Sequence, residues 1–220
     1  LQHRGQESAG IVSIDDDGKA HSVRAMGLVS EAIGTQQLRA LDGPLAIGHT
    51  RYSTAGSSVI ENAQPIVARF RGGAISLAHN GNLTNAPELR AELEAEGAIF
   101  TSTMDSEVLL HRLARSHEAD PVRRLTDALQ GVEGAYSLVV TIGRTLLVAR
   151  DPRGWRPLVL GRLGPGIVAA SETCALDIVG ATLLREVKPG EIVVIEDGEL
   201  RSEMALAPLP LQKCVFEHVY

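Results

Sequence analysis

The feature that most constrains this chain is the order of its apolar segments. Short strand-like runs come first, then a helical middle, then short strand-like runs again, with no regular strand–helix alternation. Residues 9–14 (A-G-I-V-S-I) read as a strand, Asp15-Asp16-Asp17-Gly18 as a turn, and 20–26 as the return strand. Residues 31–41 fit a short helix and 45–49 a strand. Two more strands fit 64–70 and 74–79, around a Gly72-Gly73 turn. Asn85-Ala86-Pro87-Glu88 has the pattern of a capping box and predicts a helix to about Glu96, with Gly97 beyond its end. A second helix is predicted from near Asp105, with Val108, Leu109 and Leu113 on its apolar face. A third starts at Asp120-Pro121. After Gly134 come strands at 135–142, 145–150, 157–160, 166–170 and 191–196, with Asp197-Gly198 as a hairpin turn. This order predicts an α+β fold of stacked antiparallel sheets rather than a parallel dinucleotide-binding sheet.

Composition excludes several functions. The 220 residues suit one large domain or two small ones, and 44% hydrophobic content is enough for a real core. Only 3% is aromatic, which argues against a base-stacking platform, and a net charge of -6 argues against a non-specific nucleic-acid binder. No apolar run approaches the roughly 18 residues of a membrane-spanning helix. The start, L-Q-H-R-G-Q-E, lacks both Met and a signal region, so the expectation is a cytoplasmic protein whose natural start has been lost. Two cysteines make no disulfide framework.

Three clusters look built for chemistry rather than packing. They are Gly48-His49-Thr50-Arg51-Tyr52-Ser53-Thr54, His79-Asn80-Gly81-Asn82, and Ser102-Thr103-Met104-Asp105-Ser106-Glu107, each read as a loop beside a rigid element. A free amino-acid amide such as glutamine needs a planar bidentate donor for its α-carboxylate, a carboxylate for its α-ammonium, and N–H donors for the oxyanion formed on attack. Arg51 supplies the first and Asp105 the second. The Asn80 side-chain amide and the Gly81 backbone N–H supply the third. Taken singly, each has a plain structural reading as well: a salt-bridged Arg, a hairpin turn, a helix cap.

The motifs together are more specific. They include L-Q-H-R-G-Q-E-S-A-G at 1–10, G-H-T-R-Y-S-T-A-G at 48–56, L-A-H-N-G-N-L-T-N at 77–85 and D-S-E-V-L-L at 105–110. D-P-R-G-W-R-P-L-V-L-G at 151–161 and A-S-E-T-C-A-L-D at 169–177 follow in order. Along its whole length the chain resembles the glutaminase domain of the amidophosphoribosyltransferase family. The resemblance implies an N-terminal-nucleophile hydrolase fold, a four-layer αββα sandwich with antiparallel sheets. It implies glutamine hydrolysis by an N-terminal cysteine whose own α-amine is the base. Ammonia would pass to phosphoribosyl pyrophosphate to give phosphoribosylamine, the first step of purine biosynthesis, on a second domain that needs magnesium. Carried over by position, Arg51 binds the glutamine carboxylate and Asp105 the ammonium, Asn80 and Gly81 form the oxyanion hole, Arg4 lies near the nucleophile, and Tyr52 and Thr54 line the pocket. The same resemblance implies a homo-oligomer, with no nucleic-acid or membrane partner.

The chain departs from that pattern at both ends. Residue 1 is Leu, so the nucleophile is missing, and the phosphoribosyltransferase domain is missing beyond Tyr220. The expected division is a glutaminase domain at 1–207 and the start of a linker at 208–220. As supplied, the chain is expected to be inactive. Cys174 reads as a small buried residue, and Cys214 matches a ligand of a 4Fe–4S cluster found in some members, where four thiolates are usual. The histidines show no zinc-ligand spacing, and His111 and His117 read as solvated. The rivals are another class II amidotransferase, of the hexosamine-forming or asparagine synthetase type, and a non-catalytic glutamine-binding module. Ala55 after Thr54, where the hexosamine enzymes typically carry histidine, argues against the first.

Overall fold

Alternation along four strands divides the interior into two cores. Leu138, Leu147, Ala149, Ile192 and Val194 face one core, while Ala78, Val148, Val193 and Ile195 face the other. Such strands belong to a sheet buried on both faces. The computed structural model describes residues 1–52 and 57–218.

In chain order the strands are β1 (Ser8–Ile14), β2 (Ala20–Met26), β3 (Leu45–Arg51), β4 (Ile66–Phe70), β5 (Gly73–Leu83) and β6 (Gly134–Ile142). They continue as β7 (Thr145–Arg150), β8 (Val159–Leu163), β9 (Gly166–Ala170), β10 (Thr182–Glu186), β11 (Glu191–Glu196) and β12 (Glu199–Met204). The helices are α1 (Val29–Ala32), α2 (Thr35–Leu38), α3 (Ala86–Ala95), α4 (Glu107–Arg115), α5 (Pro121–Leu129) and α6 (Thr173–Val179).

All strand pairs are antiparallel. Among the described residues they form a six-stranded sheet, β12-β11-β7-β6-β5-β4, and two three-stranded sheets, β2-β1-β3 and β10-β8-β9. One face of the large sheet packs under α3, α4 and α5 through Leu93, Val108, Leu109, Leu113, Val122, Leu125 and Leu129. Its other face meets the small sheets through Val12, Ile14, Ile47, Leu158 and Leu160. Val159 and Ala170 turn outward onto Leu176 of α6. The result is the expected αββα sandwich.

Several local expectations are corrected. The helix foreseen at 31–41 is two single turns, because Ile33, which is buried, and exposed Gly34 are extended between them. The capping box at Asn85 does not form. Its side chain reaches away to the turn before β6, donating to Gly131 O (2.8 Å) and accepting from Glu133 N (2.9 Å). Asp120 does cap α5, accepting from Arg123 N at 2.9 Å. His111 is not a solvated end residue. It lies within α4 with its ring 4.4 Å from that of Phe100. Cys174 is exposed rather than buried.

Candidate active site

Two of the three presumed loops are strand in part. His49, Thr50 and Arg51 complete β3, and His79, Asn80 and Gly81 lie inside β5, opposite Leu138, Ser137 and Tyr136 of β6. The two stretches meet at a cavity bordered by Arg4, His49, Arg51, Tyr52, Asn80, Gly81, Asp105 and Arg156. Six sequence-derived candidates, Arg4, Arg51, Tyr52, Asn80, Gly81 and Asp105, therefore share one site. Thr54 lies outside the described residues, and Cys214 is not on the cavity wall.

Glycine makes this approach possible at two points. A Cβ on Gly5 would stand 2.4 Å from the Arg51 carbonyl carbon, so only glycine lets the single-turn helix Gln2–Arg4 close against β3. Gly81 has φ 151°, and a Cβ there would stand 2.0 Å from Ala135 O and 2.8 Å from His79 Nε2. Sequence reasoning gave Gly81 a role at the substrate, and the fold demands glycine there as well. Gly5 carried no signal beyond its place in the first motif.

Arg51 is only 4% exposed, so its guanidinium must be satisfied internally, and its Nη1 donates to Glu7 Oε2 (3.2 Å) and Ser57 O (3.3 Å). Gln64 was not foreseen. Its Oε1 accepts from His79 N at 2.7 Å and fixes the strand just before Asn80. His49 Nε2 lies 3.1 Å from the His79 carbonyl. Burial lowers the His49 pKa to about 4, so the ring is neutral, Nε2–H donates, and Nδ1 is left as an acceptor. That Nδ1 and the Asn80 side-chain nitrogen are both buried with no hydrogen-bond partner among the described residues.

Asp105 approaches from the turn before α4. Its carboxylate accepts from Leu83 N (2.8 Å) and Ser106 N (2.7 Å) and lies 3.6 Å from His79 Nδ1. Burial pushes this carboxyl up, but His79 and the two N–H groups outweigh it and hold it below the ordinary aspartate range. The turn itself is laced to buried Glu107, whose carboxylate accepts from the backbone and hydroxyls of Thr101 and Ser102 at 2.5–2.9 Å. Buried Asn62 ties Thr103 to Ser57, accepting from Thr103 N at 3.0 Å and donating to Ser57 O at 2.7 Å. Tyr52, 67% exposed, stands at the mouth.

Arg4 sits in an ion-pair group that motif spacing did not reveal. It donates to Glu172, and to both oxygens of Glu217 at 2.8 and 3.0 Å. Glu172 also meets His3 (2.8 Å) and the Cys174 thiol (3.0 Å). The donor atoms of His3, Glu172 and Cys174 lie within 4.8 Å of one another, so folding assembles a potential metal-ligand set that local spacing concealed. The Arg4 cation on the other Glu172 oxygen opposes a second cation there. Burial pushes the Glu172 carboxyl up, but Cys174, Arg4 and His3 outweigh it and bring the pKa down to about 2. The hydrogen bond to that carboxylate raises the Cys174 thiol, keeping it protonated and a poor nucleophile.

The cavity thus presents a guanidinium, an ionised carboxylate and an unpartnered amide donor, a set suited to a zwitterion that carries a neutral amide. A family model described as a glutamine amidotransferase domain matches residues 49–177. Among curated relatives, the chain is 47% identical to amidophosphoribosyltransferase 2, chloroplastic, of Arabidopsis thaliana, over all of this chain and 39% of that protein. It is 43% identical to amidophosphoribosyltransferase of Bacillus subtilis, over all of this chain and 46% of that protein. The solved glutamine phosphoribosylpyrophosphate amidotransferase of B. subtilis, in complex with ADP and GMP, superposes with a TM-score of 0.93 at 42% identity. That match covers all of this chain and 48% of that one. The chain spans less than half the length of these three relatives. Its fold is that of the N-terminal-nucleophile amidotransferase domains.

Proposed function

From a chain that belongs to the glutamine amidotransferase domain family, we infer the glutamine-hydrolysing part of an amidophosphoribosyltransferase. The observation that carries this reading is the convergence of Arg51, Asn80-Gly81 and Asp105 on one cavity, with the Asn80 amide nitrogen buried and unpartnered among the described residues. Arg51 takes the glutamine α-carboxylate and Asp105 its α-ammonium. Asn80 and the Gly81 N–H receive the oxyanion as the side-chain amide is attacked. Arg4 steadies the same wall, and Tyr52 lines the pocket.

The nucleophile is a cysteine with a free α-amine, carried by residues that precede Leu1. Leu1 itself borders the cavity. β3 and β9 also turn their outer edges to a second, apolar cleft, bordered by Ile47 and Val168 and floored by Val139, Leu146 and Ile195. An extended segment there would pair with both edges, which supports a strand that brings in the nucleophile.

Ammonia released here passes to phosphoribosyl pyrophosphate bound with magnesium by another part of the whole enzyme. The whole-chain identity to amidophosphoribosyltransferases favours that acceptor over a hexosamine. Residues 1–207 form the glutaminase unit, and 208–220 lead from it. Cys214 offers one thiolate, and the two cysteines of this chain cannot by themselves close a four-thiolate cluster. Both cysteines are free, which suits a reducing cytoplasm. Among the described residues no helix is long and apolar enough to cross a membrane. Exposed Ile178, Leu183 and Leu184 on α6 and β10 suit burial against a further domain or a second copy.

The reading is tested in the full-length enzyme. Asn80→Ala should lower the glutamine-dependent kcat by about 10²–10³ with little change in KM. Ammonia-dependent synthesis should persist. Equal loss of both activities would mark a folding defect and leave Asn80 without its assigned role.

A further inference from the structure

The last described turn of the chain folds back onto the wall of the cavity. After β12 the backbone runs along residues 152–155, with Leu209 N bonded to Pro152 O (2.8 Å), Gln212 N to Arg153 O (2.9 Å) and Cys214 N to Trp155 O (3.3 Å). This path delivers the single turn Val215–His218 to the first turn of the chain. There the Glu217 carboxylate accepts two hydrogen bonds from Arg4, at 2.8 and 3.0 Å, and one from Arg156 Nη1 at 2.7 Å. The three side chains are only 10–17% exposed. Both arginines border the cavity and Glu217 does not.

We propose that Glu217 is a positioning residue for the glutamine site, which it governs through Arg4 and Arg156. This rests on the glutaminase reading above. The argument is electrostatic. Two guanidinium groups on one cavity wall repel each other unless a carboxylate lies between them, and mostly buried charges are poorly screened by water. Glu172 bonds Arg4, whereas Glu217 bonds both Arg4 and Arg156 and so bridges the pair. Removing its charge leaves the arginines to separate, and the wall beside the reacting amide moves with them. The bridge also has a direction of control. Any displacement of residues 208–218 withdraws the carboxylate from both arginines at once, so the position of that segment is read at the glutamine site.

The test compares wild-type, Glu217→Gln and Glu217→Asp in the full-length enzyme, with glutamine and with ammonia as nitrogen donor. Glu217→Gln keeps the shape and loses the charge. It should lower glutamine-dependent kcat/KM by roughly 10- to 100-fold, the scale of a displaced catalytic wall. Ammonia-dependent synthesis should stay within about twofold of wild-type, because it bypasses the glutamine site. Glu217→Asp, which keeps the charge, should recover part of the loss. Unchanged glutamine kinetics in Glu217→Gln would overturn the proposal, as would a parallel loss of ammonia-dependent synthesis. A wild-type enzyme that releases no glutamate from glutamine would instead overturn the function on which the proposal stands.

Discussion

At the scale of single residues, backbone geometry and charge set the site. Gly81 combines a φ of 151° with a neighbour, Ala135 O, where its Cβ would have to go. Gly81→Ala should therefore destabilise the chain by at least about 2 kcal/mol, read from the urea midpoint. Ordinary stability would show that the strand can yield there. Asp105 gives a pH test. Its folded pKa is depressed, so its contribution to stability is present in full above the unfolded aspartate pKa, about 3.9. That contribution fades as pH falls below this value and is gone below the folded pKa. Asp105→Asn should flatten the acid limb of a stability–pH curve in that window and nowhere above it. An unchanged acid limb would deny Asp105 its interior partners.

At the scale of elements, the turn before α4 depends on one carboxylate. Glu107 accepts four bonds from Thr101 and Ser102 and thereby holds the turn that carries Asp105. Burial would raise its pKa, but those bonds outweigh it and keep it ionised. Glu107→Gln should cost about 1.5–3 kcal/mol in urea unfolding. In the full-length enzyme it should raise the KM for glutamine more than it lowers kcat. A fall in kcat alone would separate this turn from substrate binding. The contrast between Asp120 and Asn85 belongs here too. Asp120 meets a partner three residues away, which a sequence window contains. Asn85 meets Gly131 and Glu133, more than forty residues away, and these compete successfully with the local cap.

For the whole molecule, β3 and β9 stand at the edges of their sheets among the described residues, beside the cleft assigned above to an upstream strand. A chain extended upstream to the proposed N-terminal cysteine should be more stable than the 220-residue chain. Each ~1 kcal/mol gained should raise Tm by about 2–4 °C in calorimetry. No gain in Tm would leave the cleft without its proposed occupant.

What the sequence determined by itself was local or periodic. The strands β1, β7 and β11 follow from short apolar runs, the turns at Asp15–Gly18 and Asp197-Gly198 from residues that tolerate tight backbone, and the start of α5 from a cap three residues long. Arg51, Asn80, Gly81 and Asp105 were legible as residue types suited to a glutamine substrate, each inside a recognisable motif. Only the tertiary structure decided that they share a cavity. It also decided that Asn80 and Gly81 sit in strand rather than loop, that Gly5 must lack a side chain, and that Cys174 is exposed beside His3 and Glu172. The bridge from Glu217 to Arg4 spans 213 positions. Such contacts are set by how sheets stack and where the chain returns. Burial then makes each unpaired charge costly enough that the partner brought close by folding, rather than the neighbour in sequence, takes the bond.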